Sequence, residues 1–348
     1  MRIHLDKIAS STRNAGLSAS VVVGSDIPAV PGTVVAVRVL DEKSVYNQIE
    51  DGHGRMMTYH AGDLVAGVLG NRQALRGYSG VVPDQVRPGD QLHLLNLGGV
   101  IGLCTSINPE VGPPARVEVL GSILTFPELG RRIGTPASIF PGPVPLADHL
   151  DPLPKAIFIV GTCMNAGKTA AACALVRGAT NRGLKVGATK VTGVALRRDT
   201  LEMADHGALC TYTFADAGLP STIGTDVVRA ARGCLNAAAK HGLDLLIVEL
   251  GDGLMGDYGV MDLLNSPDLK AAASAVVLAA NDPVGAWGGG LILEGVGLPV
   301  AAVTGPATDN DSGCRAIAAR MNTAPINARK DGPALVAAVL AAAEGRHP

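Results

Sequence analysis

The chain has 348 residues, 47% hydrophobic and 17% charged, with a formal net charge of −2, a globular composition with room for two domains and not a disordered one. Near-neutral charge leaves no basic footprint for nucleic acid, and one tryptophan, five tyrosines and four phenylalanines are too few for a base-stacking platform. The cysteines, at 104, 163, 173, 210, 234 and 314, form no C-x-x-C pair and read as reduced thiols, neither a disulfide framework nor a zinc site.

The opening stretch, MRIHLDKIASSTRNAG, lacks the apolar core of a secretory signal. The longest apolar runs, AAASAVVLAA and ALVAAVLAAA, fall short of the ~20 residues a membrane helix needs. A soluble, cytoplasmic protein is expected, with neither membrane nor nucleic acid among its partners. Residues 18–125 are written as short branched-aliphatic runs (SVVVG, GTVVAVRVL, DLVAGVLG, QLHLLNLGGVIGLC, ARVEVLGSIL) divided by Gly, Pro and Asp turns. They predict a β-rich N-terminal domain over residues 1–125, a small barrel or sandwich. Within DGHGRMMTYHAGD, the residues His53, Arg55, His60 and Asp63 read either as polar hairpin residues or as a loop facing a substrate or partner. An H-x6-H spacing alone does not make a metal site.

Residues 126–154, FPELGRRIGTPASIFPGPVPLADHLDPLP, are proline-rich and read as a linker that packs on the surface. Beyond them, over 155–348, apolar strands (AIFIV, KVGATKV, DLLIVEL, SAVVLAA, PVAAVTG) alternate with alanine-rich helical segments. That alternation predicts an α/β domain, a parallel sheet with helices on both faces. In VGTCMNAGKTAAACALVRGA a buried strand feeds a glycine turn and then a helix, the context a phosphate-binding loop requires. Gly161, Thr162, Asn165, Ala166 and Gly167 would cradle phosphates, Lys168 would reach their outer oxygens, and the Thr169 hydroxyl is placed to hold Mg²⁺. Five residues separate Gly161 from Gly167, one more than the common P-loop spacing.

That G-x5-G-K-T loop resembles the loop of dethiobiotin synthetase and its relatives, including the cobyrinic acid amide synthases. The resemblance continues along 155–305 through RGLKVGATKVTG, DLLIVELGDG, SAVVLAANDPVG and GVGLPVAAVTGP. It implies that Lys190 is a catalytic lysine beside Lys168, that Glu249 is the magnesium-side glutamate, and that Asn281 lies near the nucleotide base. The layout is also similar to a P-loop family that includes D-glutamate N-acetyltransferase, whose members carry an additional N-terminal domain. Departures are visible. Leu250 stands where the first family has glycine, Asp252 is an added acid, and the stretch after Lys190 matches nothing in dethiobiotin synthetase. Cys163 occupies the position of the signature lysine of partition-type ATPases, which argues against that class.

Around the loop, alternatives stay open. Lys190 reads as a phosphate ligand or a solvated strand-end lysine, and Glu249 as a magnesium residue or a turn acid. Arg197 and Arg198, with Asp252, are candidates for the substrate, or else a solvated charge run. Asp199 or Asp205 could supply a second magnesium acid; Asp257 and Asp282 are weaker candidates. His206 and His241 fit no nucleophilic arrangement, and Cys163 reads as a packing residue or a thiol activated by loop amides. The segment Thr192–Asp205 is expected to cover the γ-phosphate side. Together these features lead to an Mg²⁺–ATP enzyme, a ligase or synthetase that activates a small carboxylate- or carbamate-type substrate for C–N bond formation, and a homodimer. The alternatives are an N-acyltransferase whose loop grips the diphosphate of acetyl-CoA or another acyl-CoA, and a non-catalytic nucleotide-binding regulator.

Overall fold

The structure is a computed structural model that describes residues 1–127, 130 and 133–345. Two units divide the chain. Met1–Val144, Val194–Arg198 and Ala215–Thr225 make the first; Pro145–Gly193, Asp199–Phe214 and the chain from Asp226 onward make the second.

In the first unit the punctuated aliphatic runs become β1 (Arg2–His4), β2 (Lys7–Ile8), β3 (Ser20–Gly24), β4 (Val34–Val39), β5 (Gln48–Glu50), β6 (Met56–Thr58), β7 (Leu64–Leu69), β8 (Tyr78–Val81), β9 (Gln91–Leu94), β10 (Val100–Ile107), β11 (Arg116–Thr125) and β12 (Thr135–Pro136). One sheet runs β1-β3-β11-β4-β7-β10-β8, with β2 on β7, β12 on β11, and β9 on both β10 and β11; β5 and β6 form a separate hairpin. The double pairing of β9 closes a ring, β11-β4-β7-β10-β9 and back to β11. Of the two expected architectures, this is the barrel. Side chains alternate across each strand, and the two faces of β4 separate accordingly. Val35, Val37 and Val39 join Val65, Leu92, Ile101 and Val117 in one buried cluster. Val34 and Ala36 pack instead with Val21, Val23, Val68 and Ile123.

The polar residues of DGHGRMMTYHAGD shape turns. Backbone N–H groups of His53 and Arg55 donate to Asp51 Oδ1 at 2.8 and 3.0 Å, and that of His60 to Asp63 Oδ2 at 2.7 Å; short acids close turns in this way. The stretch expected as a linker divides differently from 126–154. Its first part, through Val144, belongs to the first unit, and the second unit begins at Pro145. Leu124 of β11 pairs with Pro136, and the Ala137 and Ile139 N–H groups donate to Ile123 and Gly32. A proline is tolerated in so short an edge strand because no ladder bond is asked of it, so pairing hides inside a proline-rich sequence. Glu128, Leu129, Arg131 and Arg132 of the expected linker, and Arg346, His347 and Pro348 of the expected C-terminal domain, lie outside the described residues.

The second unit carries β13 (Lys155–Gly161), α1 (Lys168–Thr180), β14 (Val186–Thr192), α2 (Arg198–Asp205), β15 (Cys210–Thr213), α3 (Val227–Ala239), β16 (Leu245–Leu250), α4 (Val260–Asn265), α5 (Pro267–Ala272), β17 (Ala273–Ala279), α6 (Pro283–Gly295), β18 (Val300–Thr304), α7 (Asp311–Ala318), β19 (Ala324–Pro325) and α8 (Gly332–Ala343). Its seven strands are ordered β15-β14-β16-β13-β17-β18-β19, and every pair is parallel. Parallel strands covered on both faces read as unbroken apolar runs. In β13, Ile157 and Ile159 pack with Leu175 and Val176 of α1 and Val336 and Val339 of α8. Phe158 and Val160, of opposite parity, are equally buried; α3 packs on β14 and β15, and α5 and α6 pack on β17. This is the P-loop type of α/β fold. No helix among the described residues is long and apolar enough to cross a membrane.

The chain joins the first unit again after β14 and after β15. The Ala195 N–H donates to Pro220 O at 2.9 Å. Asn96, buried, clasps this addition: its Nδ2 donates to Ala195 O at 2.7 Å while its Oδ1 accepts the Val100 N–H at 2.8 Å. Asn96→Ala strands two buried backbone groups, each worth about 1–3 kcal/mol when left unsatisfied. A clear fall in urea midpoint should follow, and an unchanged midpoint would show that the clasp contributes nothing.

Candidate functional site

The sheet order places the phosphate loop at a reversal. From β13 the chain continues toward β14 on one side, and from β17 toward β18 on the other. Loops that leave in opposite directions open a crevice at the carboxyl edge, where open α/β sheets bind ligands. The loop after β13 is tied at both neighbours: Thr162 N–H donates to Ala279 O of β17, and Leu254 N–H donates to Gly161 O, both at 2.9 Å.

Glycine is required at two positions, one in this loop and one in the segment that packs on it. Gly167, the N-cap of α1, has φ 95°, a left-handed conformation that costs L-residues energy. Gly305, after β18, has φ 90°, and a Cβ there would lie 2.1 Å from Ala166 O. Gly305 was not among the residues singled out from the sequence; the Thr-Gly-Pro that ends the last long strand is the signal that marks it. Asn165 also has positive φ, 60°, as short amide residues tolerate.

Lys168 is 5% exposed. Its amino group donates to Cys163 O at 2.8 Å and to the carbonyl of Asp252. Burial lowers its pKa, against the pull of the Glu249 carboxylate. Asp252 therefore meets the loop through its backbone, held at φ 70°. Cys163 is a hydrogen-bonding node as well as a packing residue: its sulfur accepts from Asn281 Nδ2 at 2.8 Å and its carbonyl holds the lysine.

Beside the loop runs a chain of polar side chains. Thr169 Oγ1 donates to Glu249 Oε1 at 3.3 Å. Lys190 Nζ lies 3.9 Å from the same oxygen and makes a close ion pair with Asp199. Lys190 and Glu249 are register partners on β14 and β16, so the sheet itself sets their spacing. Glu249 is 1% exposed; burial raises its pKa, while Lys190 and Lys168 oppose that rise. Its Oε2 is buried without a hydrogen-bond partner among the described residues. A hydroxyl beside a carboxylate with an unused oxygen fits a hard, oxygen-seeking cation. Mg²⁺ takes one or two protein ligands and keeps several waters. Among the described residues no group of three or more His, Cys, Asp or Glu could hold a metal by itself, which such an ion does not need.

The other candidates lie elsewhere. Arg197 belongs to the first unit; its N–H donates to Glu50 Oε2 at 2.7 Å and its guanidinium bonds Gly52 O. Arg198 at the start of α2, Asp205 at its end and Asp257 in the loop after β16 are all exposed. Asp282 caps α6 through the Gly285 N–H at 2.8 Å. His206 meets Glu202 O, and His241 meets the Tyr212 hydroxyl. Glu50 drew no attention in the sequence, since a single acid in a short hairpin carries no motif.

No family model matches the chain, and no curated protein matches it. Among solved structures it is distantly similar to the signal recognition particle receptor FtsY from Elizabethkingia anophelis, at 18% identity over 46% of this chain and 52% of that one, TM-score 0.34. The chloroplast FtsY from Physcomitrella patens gives 16% identity over 53% and 66%, TM-score 0.38. The signal recognition particle 54 kDa protein from Aeropyrum pernix K1, solved with GDP, gives 22% over 57% and 41%, TM-score 0.34. The chain spans about half the length of the first of these.

Burial also marks the thiols behind the loop. Cys173 on α1 is pushed up to about 12 and Cys210 on β15 up to about 11, desolvation being the first cause in each. Only the thiolate attacks an alkylating reagent, so near pH 8 both should stay unmodified by iodoacetamide in the native protein and react once it is unfolded. Peptide mass spectrometry checks this; native labelling of Cys173 would contradict the packing of α1.

Proposed function

We propose that the protein is an Mg²⁺- and ATP-dependent enzyme that activates a small carboxylate- or carbamate-type substrate for C–N bond formation. The observation that carries this reading is the convergence of Lys168, Lys190, Thr169 and Glu249 at the carboxyl edge beside the Gly161–Gly167 loop. When bound, Mg²⁺–ATP would supply the phosphoryl group that turns a carboxylate oxygen into a leaving group. The loop amides and the α1 N-terminus suit the phosphates. Lys168 would exchange two carbonyl partners for phosphate oxygens. Lys190, steadied by Asp199, is placed to balance negative charge that develops during transfer. Thr169 and Glu249 Oε2 would hold the metal ion.

With Mg²⁺–ATP at one hundred times its Kd, folded-state binding adds about 2.7 kcal/mol, and the Tm should rise in step. Lys168→Ala should remove most of that rise. Glu249→Gln changes charge with little change in shape and should lower turnover about 10²–10³-fold. Release of ADP with a carboxylate substrate and an amine supports the reading. Release of CoA thiol from acetyl-CoA, insensitive to Glu249→Gln, would instead make the loop a CoA-diphosphate grip and the protein an N-acyltransferase. No Tm shift with any nucleotide or CoA ester would end both.

A further inference from the structure

The backbone between β17 and α6 is pinned on both sides of Asn281. The Ala280 N–H donates to Thr304 O and Ala280 O accepts the Ala307 N–H, both at 2.9 Å, while the Asp282 carboxylate caps α6. Asn281 stands between these two fixed residues, so its carboxamide is delivered to a set place. That place is the phosphate loop, where Nδ2 donates to Cys163 Sγ. The same strand end holds the loop one residue earlier, through the Thr162 N–H on Ala279 O.

Cys163 passes this anchorage on in two directions. Its thiol donates to Met164 O at 3.1 Å, and its carbonyl accepts from Lys168 Nζ at 2.8 Å. One residue therefore joins the end of β17 to the loop through its side chain and to the buried lysine through its backbone. Asn165, two residues on, sits at φ 60°, a sparsely populated conformation that persists where the surroundings impose it. A carboxamide reads an adenine edge by using both of its ends. Here the nitrogen end is turned into the loop, and reading a base in that way would require it to leave Cys163.

We propose that Asn281 is a positioning residue for the phosphate loop, acting through Cys163 to hold the loop and Lys168 in their anion-receiving arrangement, and that it does not select the nucleotide base. The proposal rests on the phosphate-loop reading but not on the choice between ATP and a CoA ester, since either ligand presents its phosphates to the same loop.

Binding is measured on the full-length protein with Mg²⁺ and inorganic tripolyphosphate, which has no base, beside ATP. Asn281→Ala should weaken both by the same factor, about three- to tenfold, as the loss of one hydrogen bond implies. Cys163→Ala should weaken both similarly, and adding Asn281→Ala to it should cost nothing more, the coupling expected of groups that act in series. Cys163→Ser keeps an acceptor at the same place and should retain the original affinity, which separates a lost hydrogen bond from a loop that has failed to fold. Freed of its partner, Cys163 should also be alkylated by iodoacetamide several-fold faster in Asn281→Ala, a readout that needs no ligand. Weakened ATP with unchanged tripolyphosphate would overturn the proposal and make Asn281 a base contact. Additive losses in the double variant would overturn the path through Cys163. In both cases the phosphate-loop reading stands. No tripolyphosphate binding by the unaltered protein would end that reading, and the proposal with it.

Discussion

Placing the Glu249 carboxylate inside a parallel sheet takes it out of water, at a cost of several kcal/mol unless neighbours compensate. The compensation is built from the fold. Lys190 stands at the matching register position of the adjacent strand, and Thr169 reaches the same carboxylate from the first turn of α1. Shifting either strand by one residue would turn the lysine or the glutamate to the other face. Sheet register, helix start and loop spacing are therefore coupled through one side chain.

The loop beside it is held by main chain more than by side chain. Lys168 rests on two carbonyls, one from its own loop and one from Asp252. Burial disfavours its charge while Glu249 supports it, and an arriving anion meets the Lys168 amino group without first breaking a direct salt bridge among the described residues. Lys190 differs, since Asp199 pairs with it closely. The two lysines thus enter binding from different starting points: one exchanges dipoles, the other shares a carboxylate.

Much of the second unit was legible because its signals are local. A buried run before Gly161, a glycine turn, and Lys168–Thr169 opening an alanine helix specify a strand, a loop and a helix within a few residues. Lys190 and Glu249 were legible as strand ends. The barrel was less so. Its closure rests on β9 pairing with both β10 and β11, a matter of distant register that turn residues do not encode. Proline in Phe126–Pro154 marked a linker, yet Pro136 lies in a strand. Arg197 follows Lys190 closely in sequence and so drew a phosphate or substrate role. The chain changes units between them at Val194, and backbone contacts to Glu50 decide where it sits. Sequence proximity is a weak guide wherever a segment is shared out between two cores.

That sharing has a consequence for how the protein is made. Asn96 waits for Ala195, ninety-nine residues downstream, and Arg13 for Asp216, two hundred and three residues downstream. A chain emerging from the ribosome presents the barrel strands early but without these inserts. The amino-terminal unit, although first in sequence, is completed only after β14 and β15 have been synthesised. Contacts of such long range are slow to close, and until they do the groups that Asn96 and Arg13 will bind must be satisfied by water. A cut at either end of the proline-rich stretch would separate the barrel from its own missing pieces, so the gene order of the two units is not the order in which they reach their final form.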